Sequence, residues 1–176
     1  MDANHKWDRN FLMNMPKEKL IDLLLVQIRN IWSEDGLYFL NIEQRFGTEL
    51  AIEIDREVWA VMGKIEARRL KEALKITNNN IQSLFEVLKH TSWWLSLDDK
   101  EFILENNRLV IRNTNCQVQQ IRIKKGLGEF SCKPVRWGFL RNFMKEFNSD
   151  IEVNCLVCPP DEHPDDLFCE WEFILK

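Results

Sequence analysis

The sequence predicts an α+β domain, with about four N-terminal helices packed on a C-terminal antiparallel sheet of four to five strands carrying one inserted helix. Two observations carry this. Apolar residues recur every three or four positions up to about residue 95, and the period then falls to two. The order of the segments, helices first and then strands, a helix and strands, is that of an α+β chain. A length of 176 residues suits one domain spanning residues 1–176. Residues 1–15 would be a loosely ordered arm, 16–97 the helical half and 98–176 the sheet half.

Pro16 opens the first helix, with Leu20, Leu23, Leu24, Ile28 and Ile31 on one stripe. It is expected to stop near Ser33 to Gly36, and a short helix, Leu37 to Phe46, is closed by Gly47. Thr48 is the expected N-cap of the longest helix, Glu49 to Lys75. Gly63 in its middle costs about 1 kcal/mol relative to Ala, which close helix packing would justify. Asn78 to Asn80 can cap a further helix, Ile81 to Leu95. Phe102 to Glu105 and Arg108 to Arg112 read as a hairpin turning at Asn106-Asn107. Gln117 to Lys125 reads as a third strand with a bulge at Gln119-Gln120. Pro134 opens a helix to Asn148 with Val135, Phe139, Phe143 and Phe147 every four residues. The last strands carry Ile151, Val153, Cys155 and Val157, then Cys169, Trp171, Phe173 and Leu175, around a stiff acidic loop.

Composition narrows the function. The net charge is −4, where a nucleic-acid surface would show a basic excess. No apolar run approaches the ~20 residues of a membrane span. Met1 to Asn14 lacks the apolar core of a signal peptide. A cytoplasmic, reducing location follows, and the five cysteines read there as thiols, metal ligands or core residues rather than disulfides. Seven Trp and eleven Phe fill a core first and line a pocket second.

Charge is divided within the sheet half. Arg108 to Lys145 holds nine basic residues and one acidic; Asp150 to Lys176 holds eight acidic and one basic. Cross-strand ion pairs account for this, with Arg122 and Lys124 expected opposite Glu170 and Glu172; a bound anion is the competing account.

The thiols Cys116, Cys132, Cys155, Cys158 and Cys169 all fall in the last third. Cys155-x-x-Cys158 has the spacing of a metal knuckle or a redox pair. If Pro159 turns Cys158 back, Cys155, Cys158 and Cys169 converge with His163 nearby, a set that would suit zinc; Cys116 and Cys132 are additional thiols. The competing account is that free cysteines are small buried hydrophobes. On the long helix, Asp55, Trp59 and Glu66 share a side and, with Glu43, would either wall a polar pocket or form a solvated face with i,i+4 pairs.

Asp35-Gly36-Leu37-Tyr38-Phe39, Ile42-Glu43-x-x-Phe46-Gly47, Glu53-Ile54-Asp55-x-x-Val58-Trp59 and Ala67-Arg68-Arg69 form one motif set. Cys116-x-x-Gln119-x-x-Arg122, Cys132-Lys133, Cys155-x-x-Cys158-Pro159-Pro160 and Cys169-Glu170-Trp171-Glu172-Phe173 form a second. Over Ile31 to Lys176 the chain resembles a family of uncharacterised prokaryotic cytosolic proteins. That family is distantly similar to L-2-amino-thiazoline-4-carboxylate hydrolase-like proteins and to the small-molecule-binding 4-vinyl reductase domain. The resemblance implies helices packed on an antiparallel sheet with a pocket between them.

Together these observations lead to a small-molecule-binding domain, with hydrolysis of a thiol-derived or carboxylate compound as its finer form. Trp59, Arg68, Gln120 and Arg122 are the candidate ligand-binding residues, Trp59 as an apolar wall and either arginine as the carboxylate receiver. The alternative is a thiol-rich metal-binding or redox-sensing module. A homodimer through the helical half is the expected assembly, with no nucleic-acid or membrane partner.

Overall fold

The structure, a computed structural model, describes residues 6–176, with side chains described from Asp8 onward. The first five residues of the expected arm lie outside the described residues; Lys6–Met13 within it forms helix α1. Two long helices follow, α2 (Lys17–Phe46) and α3 (Thr48–Leu74), then the short α4 (Ile81–Leu88) and α5 (Ser92–Ser96). Strands β1 (Asp99–Leu104) and β2 (Arg108–Asn115) form a hairpin. Helices α6 (Gln117–Lys124) and α7 (Lys133–Phe147) separate it from β3 (Ile151–Val157) and β4 (Cys169–Leu175). The sheet is antiparallel, four-stranded, in the order β1-β2-β4-β3.

Helix α7 joins the layers, because it lies on both α3 and β3. Its four-residue ladder Val135, Phe139, Phe143 and Phe147 is buried, and meets Trp171 and Phe173 of β4 in one core. Gly63 has the packing role expected of it: a Cβ there would overlap the Phe139 carbonyl. Asn142 Nδ2 donates to the Ala60 carbonyl at 2.9 Å across the same seam.

Several expectations need correction. The predicted break at Ser33 to Gly36 is absent, and α2 runs unbroken through it. Tertiary contacts outweigh the local breaker: Trp32 stacks on Trp59 with ring centroids 5.0 Å apart, and Trp59 Nε1 donates to Asp35 Oδ1 at 2.9 Å. Thr48 is not a cap; Gly47 is the cap residue, and the Thr48 hydroxyl donates to Glu43 Oε1 at 3.0 Å. Asn80 does cap α4, accepting from Ser83 N at 2.8 Å. That helix ends seven residues early, because the Thr91 hydroxyl donates to Leu88 O and accepts from Trp94 N, starting α5.

The largest correction is α6, where a strand was expected. The β-branched Val118, Ile121 and Ile123, which suggested a strand, are exposed. Gln119 and Arg122, one helical turn apart, are buried instead. Gln119 forms a closed amide pair with the Phe130 backbone, both bonds at 2.7 Å. Arg122 holds Glu43 of α2 through two bonds of 2.9 Å. Polar satisfaction thus selects the helix, and the bulge falls in β3, between Cys155 and Val157. The expected cross-strand pairs of Arg122 and Lys124 do not form, and other charges meet across the strands. Arg112 lies opposite Glu170 and bonds it at 2.8 Å, and Arg108 reaches Glu172 diagonally at 2.6 Å. Lys124 and Arg122 take no part in the sheet.

Candidate functional site

A cavity of about 640 Å³ lies where α2, α3, α5, α6 and α7 meet the start of β4. Three indoles, Trp32, Trp59 and Trp93, form its walls, and Leu37 and Ile121, both exposed, stand at its rim. The volume is in the range of small-molecule sites.

On its wall stands Arg136, the first-turn arginine of α7, 7% exposed. Its guanidinium carbon sits 4.7 Å from the Trp93 ring centroid, 5.8 Å from Trp32 and 5.9 Å from Trp59. Such a cage offsets the desolvation of a cation. It supplies no hydrogen bonds, however, and Arg136 Nη1 is buried with no hydrogen-bond partner. Among the described residues no carboxylate approaches Arg136 within salt-bridge distance, although Asp35, Asp55 and Glu66 all feel its charge.

Those carboxyls are held towards their neutral forms. Burial raises Asp35 and Glu66 above the ordinary carboxylate range. Burial, then the neighbouring Asp35 and Cys132, pushes Asp55 up to about 8. At neutral pH the Asp55 carboxyl is therefore a proton donor on the cavity wall.

The cysteines gather at the inner end of the cavity. Cys116, Cys132 and Cys169 line it, while Cys158 is fully buried behind them. Cys158 is a hub, with the thiols of Cys132, Cys155 and Cys169 beside its own. These contacts and burial raise its pKa. Cys132 moves the other way, down to about 7, through the neighbouring Cys158 thiol and the charge of Arg136. Burial pushes Cys116 up to about 12. All five are free thiols.

Of the expected ligand-binding residues, only Trp59 lines the cavity. Arg122 is bound to Glu43, Arg68 is exposed and lies 3.9 Å from Glu146, and Gln120 is beside the cavity-lining Gln119 without entering the lining itself. Of the expected metal set, Cys155 and Cys169 lie beside Cys158. His163 is engaged elsewhere, with Nδ1 2.9 Å from the Pro164 carbonyl and Nε2 3.2 Å from Glu129. Among the described residues, no group of three or more His, Cys, Asp or Glu side chains is placed to hold a metal ion. Residues that sequence reasoning passed over are Arg136, counted only within the basic block, and Asp35, taken for part of a helix break. A signal for Arg136 exists in the sequence: it follows Cys132 by four residues at the start of a helix, one turn apart.

A family model matches residues 13–175. The chain belongs to DUF6125, a family of unknown function. The motif sets of the helical and sheet halves both lie inside the matched span, so the DUF6125 match covers the cavity, Arg136 and all five cysteines. Neither the curated proteins nor the solved structures contain a match. Among the described residues, no helix of this DUF6125 chain is long and apolar enough to cross a membrane.

Proposed function

We propose that the chain is a small-molecule-binding domain whose ligand is a compact anion, a carboxylate foremost, received by Arg136 between the three indoles. The observation that supports this reading is the buried, unpartnered Nη1 of Arg136 facing a cavity of ligand size. Leaving such a donor unmade is costly, and a carboxylate is the partner a guanidinium binds most strongly. The protonated Asp55 would add a donor to the second carboxylate oxygen. Hydrolysis of a thiol-derived carboxylate, the finer form of the reading, is supported by a thiol, Cys132, and a proton carrier, Asp55, near the same guanidinium.

Thermal-shift measurements with small carboxylates and their matched amides test this. A binder present at a hundredfold excess over its Kd should add about 2.7 kcal/mol of stability. The amide should not, and Arg136→Met should abolish the gain. If no carboxylate raises the melting point, or if Arg136→Met responds as the wild type does, the reading fails.

A second copy of the chain is the partner that α3 would suit. Leu50, Ile54, Val58 and Val61 follow each other at helical spacing and are 39%, 36%, 52% and 60% exposed. Light scattering at micromolar concentration should return twice the chain mass; a monomer there ends the dimer reading.

A further inference from the structure

We propose that Cys132 and Cys158 form a dithiol–disulfide couple that exchanges with a small, carboxylate-bearing disulfide held in the cavity. The carboxylate part rests on the ligand reading above; the couple rests on the thiols themselves.

The placement assigns a role to each sulfur. Cys132 and Cys169 both line the cavity and lie beside Cys158; Cys132 is the less buried of the two and stands at the N-cap of α7. There the dipole of a helix N-terminus favours a thiolate. Arg136, one turn on, lines the same cavity, and its charge favours the Cys132 thiolate. Cys158 is sealed behind the two thiols at 0% exposure and Cys169 is itself buried, which leaves Cys132 the more accessible thiol beside it. The two chain segments are clamped together: Lys133 N donates to the Pro159 carbonyl at 2.9 Å, and Lys133 Nζ lies 2.8 Å from Asp161 Oδ2. Asp161 in turn accepts from Cys158 N at 3.2 Å. Cys155 also touches Cys158, but it does not line the cavity. The first attack on a bound disulfide therefore falls to Cys132, and the second to Cys158.

The chemistry closes without another reactant. The Cys132 sulfur attacks one sulfur of R–S–S–R. The substrate S–S bond breaks, a mixed disulfide forms on Cys132, and the leaving thiolate takes the proton that Cys132 gave up. Cys158 then attacks the Cys132 sulfur of the mixed disulfide, and the second R–S⁻ leaves with the Cys158 proton. The protein dithiol is oxidised to one disulfide and the substrate disulfide is reduced to two thiols. With Arg136 beside Cys132, a substrate carboxylate paired to the guanidinium would bring its sulfur to the attacking thiol.

Cystine is the probe, added to the reduced full-length chain. Two cysteines should be released for each protein disulfide formed, and peptide mapping should join Cys132 to Cys158. Cys158→Ser should stop at the mixed disulfide on Cys132, with Cys158→Ala as the check should the serine disturb folding; Cys132→Ser should not react. Mapping that joins Cys155 or Cys169 to Cys158, no thiol release, or a stoichiometric metal held by these thiols in protein purified without chelator would overturn the couple. Cystamine, the same disulfide without carboxylates, separates the two layers. It should react about tenfold more slowly than cystine with the wild type, the loss of one charge-assisted hydrogen bond. Its rate should equal that of cystine in Arg136→Met. Equal wild-type rates with a Cys132–Cys158 disulfide formed would overturn the carboxylate reading and leave the couple standing. Cystine that raises the melting point of Cys132→Ser but leaves the wild type reduced would overturn the couple and leave the ligand reading standing.

Discussion

Two buried arginines, Arg122 and Arg136, sit 7% exposed on consecutive helices, and the protein treats them in opposite ways. Arg122 faces Glu43, and both Nη atoms find a carboxylate oxygen at 2.9 Å. The pairing lowers the Glu43 pKa, as a carboxylate fixed by a bidentate guanidinium should be. Only Arg122 Nε lacks a partner. Arg136 faces indoles, a thiol and carboxyls held towards neutrality. The first arginine is a clasp between α6 and α2. The second is a cation kept available. Burial alone therefore does not mark a binding residue; burial with the partner missing does. On the sheet surface Arg112 shows a third setting, paired with Glu170 but 39% exposed, where water screens the pair and little stability follows.

The largest effect expected from the Arg136 region is on the pH dependence of stability. Asp55 is raised from 3.8 to about 8, so the folded chain keeps a proton that the unfolded chain releases. The unfolded state binds fewer protons across that window, and stability is lost as pH rises from about 4 to about 8. Burial is the first cause, so removing the ionisable group removes the slope. Asp55→Asn should gain on the wild type progressively over this window, by a few kcal/mol at its upper end. Urea denaturation at intervals across it measures the difference directly. A difference that stays flat with pH would mean that water or Arg136 already stabilises the Asp55 carboxylate, and the contrast between the two arginines would then weaken.

Much of the fold was legible because it depends on near neighbours in sequence. The Phe ladder of α7, the Asn80 cap, the hairpin around Asn106-Asn107 and the last two strands all rest on periodicity or local hydrogen bonds. The failures share one cause, which is a partner far along the chain. Gly36 stays helical because Trp32 and Asp35 are held by Trp59. Gln117 to Lys124 becomes a helix because Gln119 and Arg122 meet Phe130 and Glu43. Cys155 and Cys169 lie beside Cys158 on the paired strands β3 and β4. Cys132 joins them from another helix, which no spacing in the sequence declares. Arg136 was hidden for the same reason: its emptiness is defined by what does not approach it.

The comparison of the two arginines is most directly broken by substitution on each side. Glu43→Ala leaves the Arg122 guanidinium buried and unpaired, which should cost about 3 kcal/mol. Combining it with Arg122→Met should recover most of that loss, because the buried charge goes with its partner, and the methionine stem keeps the contact with Phe39 and Phe130. Arg136→Met has no paired carboxylate to orphan. It removes an unmet donor and leaves an apolar side chain among Trp32, Trp59 and Trp93, so stability should stay within about 1 kcal/mol of the wild type or rise. Chemical denaturation of the four chains, with m-values checked for constancy, decides the matter. If Arg136→Met cost as much as Glu43→Ala, Arg136 would be a structural cation like Arg122, and its open Nη1 would no longer mark a ligand site. If Glu43→Ala cost little, Arg122 would be reached by water, and the clasp between α6 and α2 would owe its strength to Gln119 and the Phe39 and Phe130 rings instead.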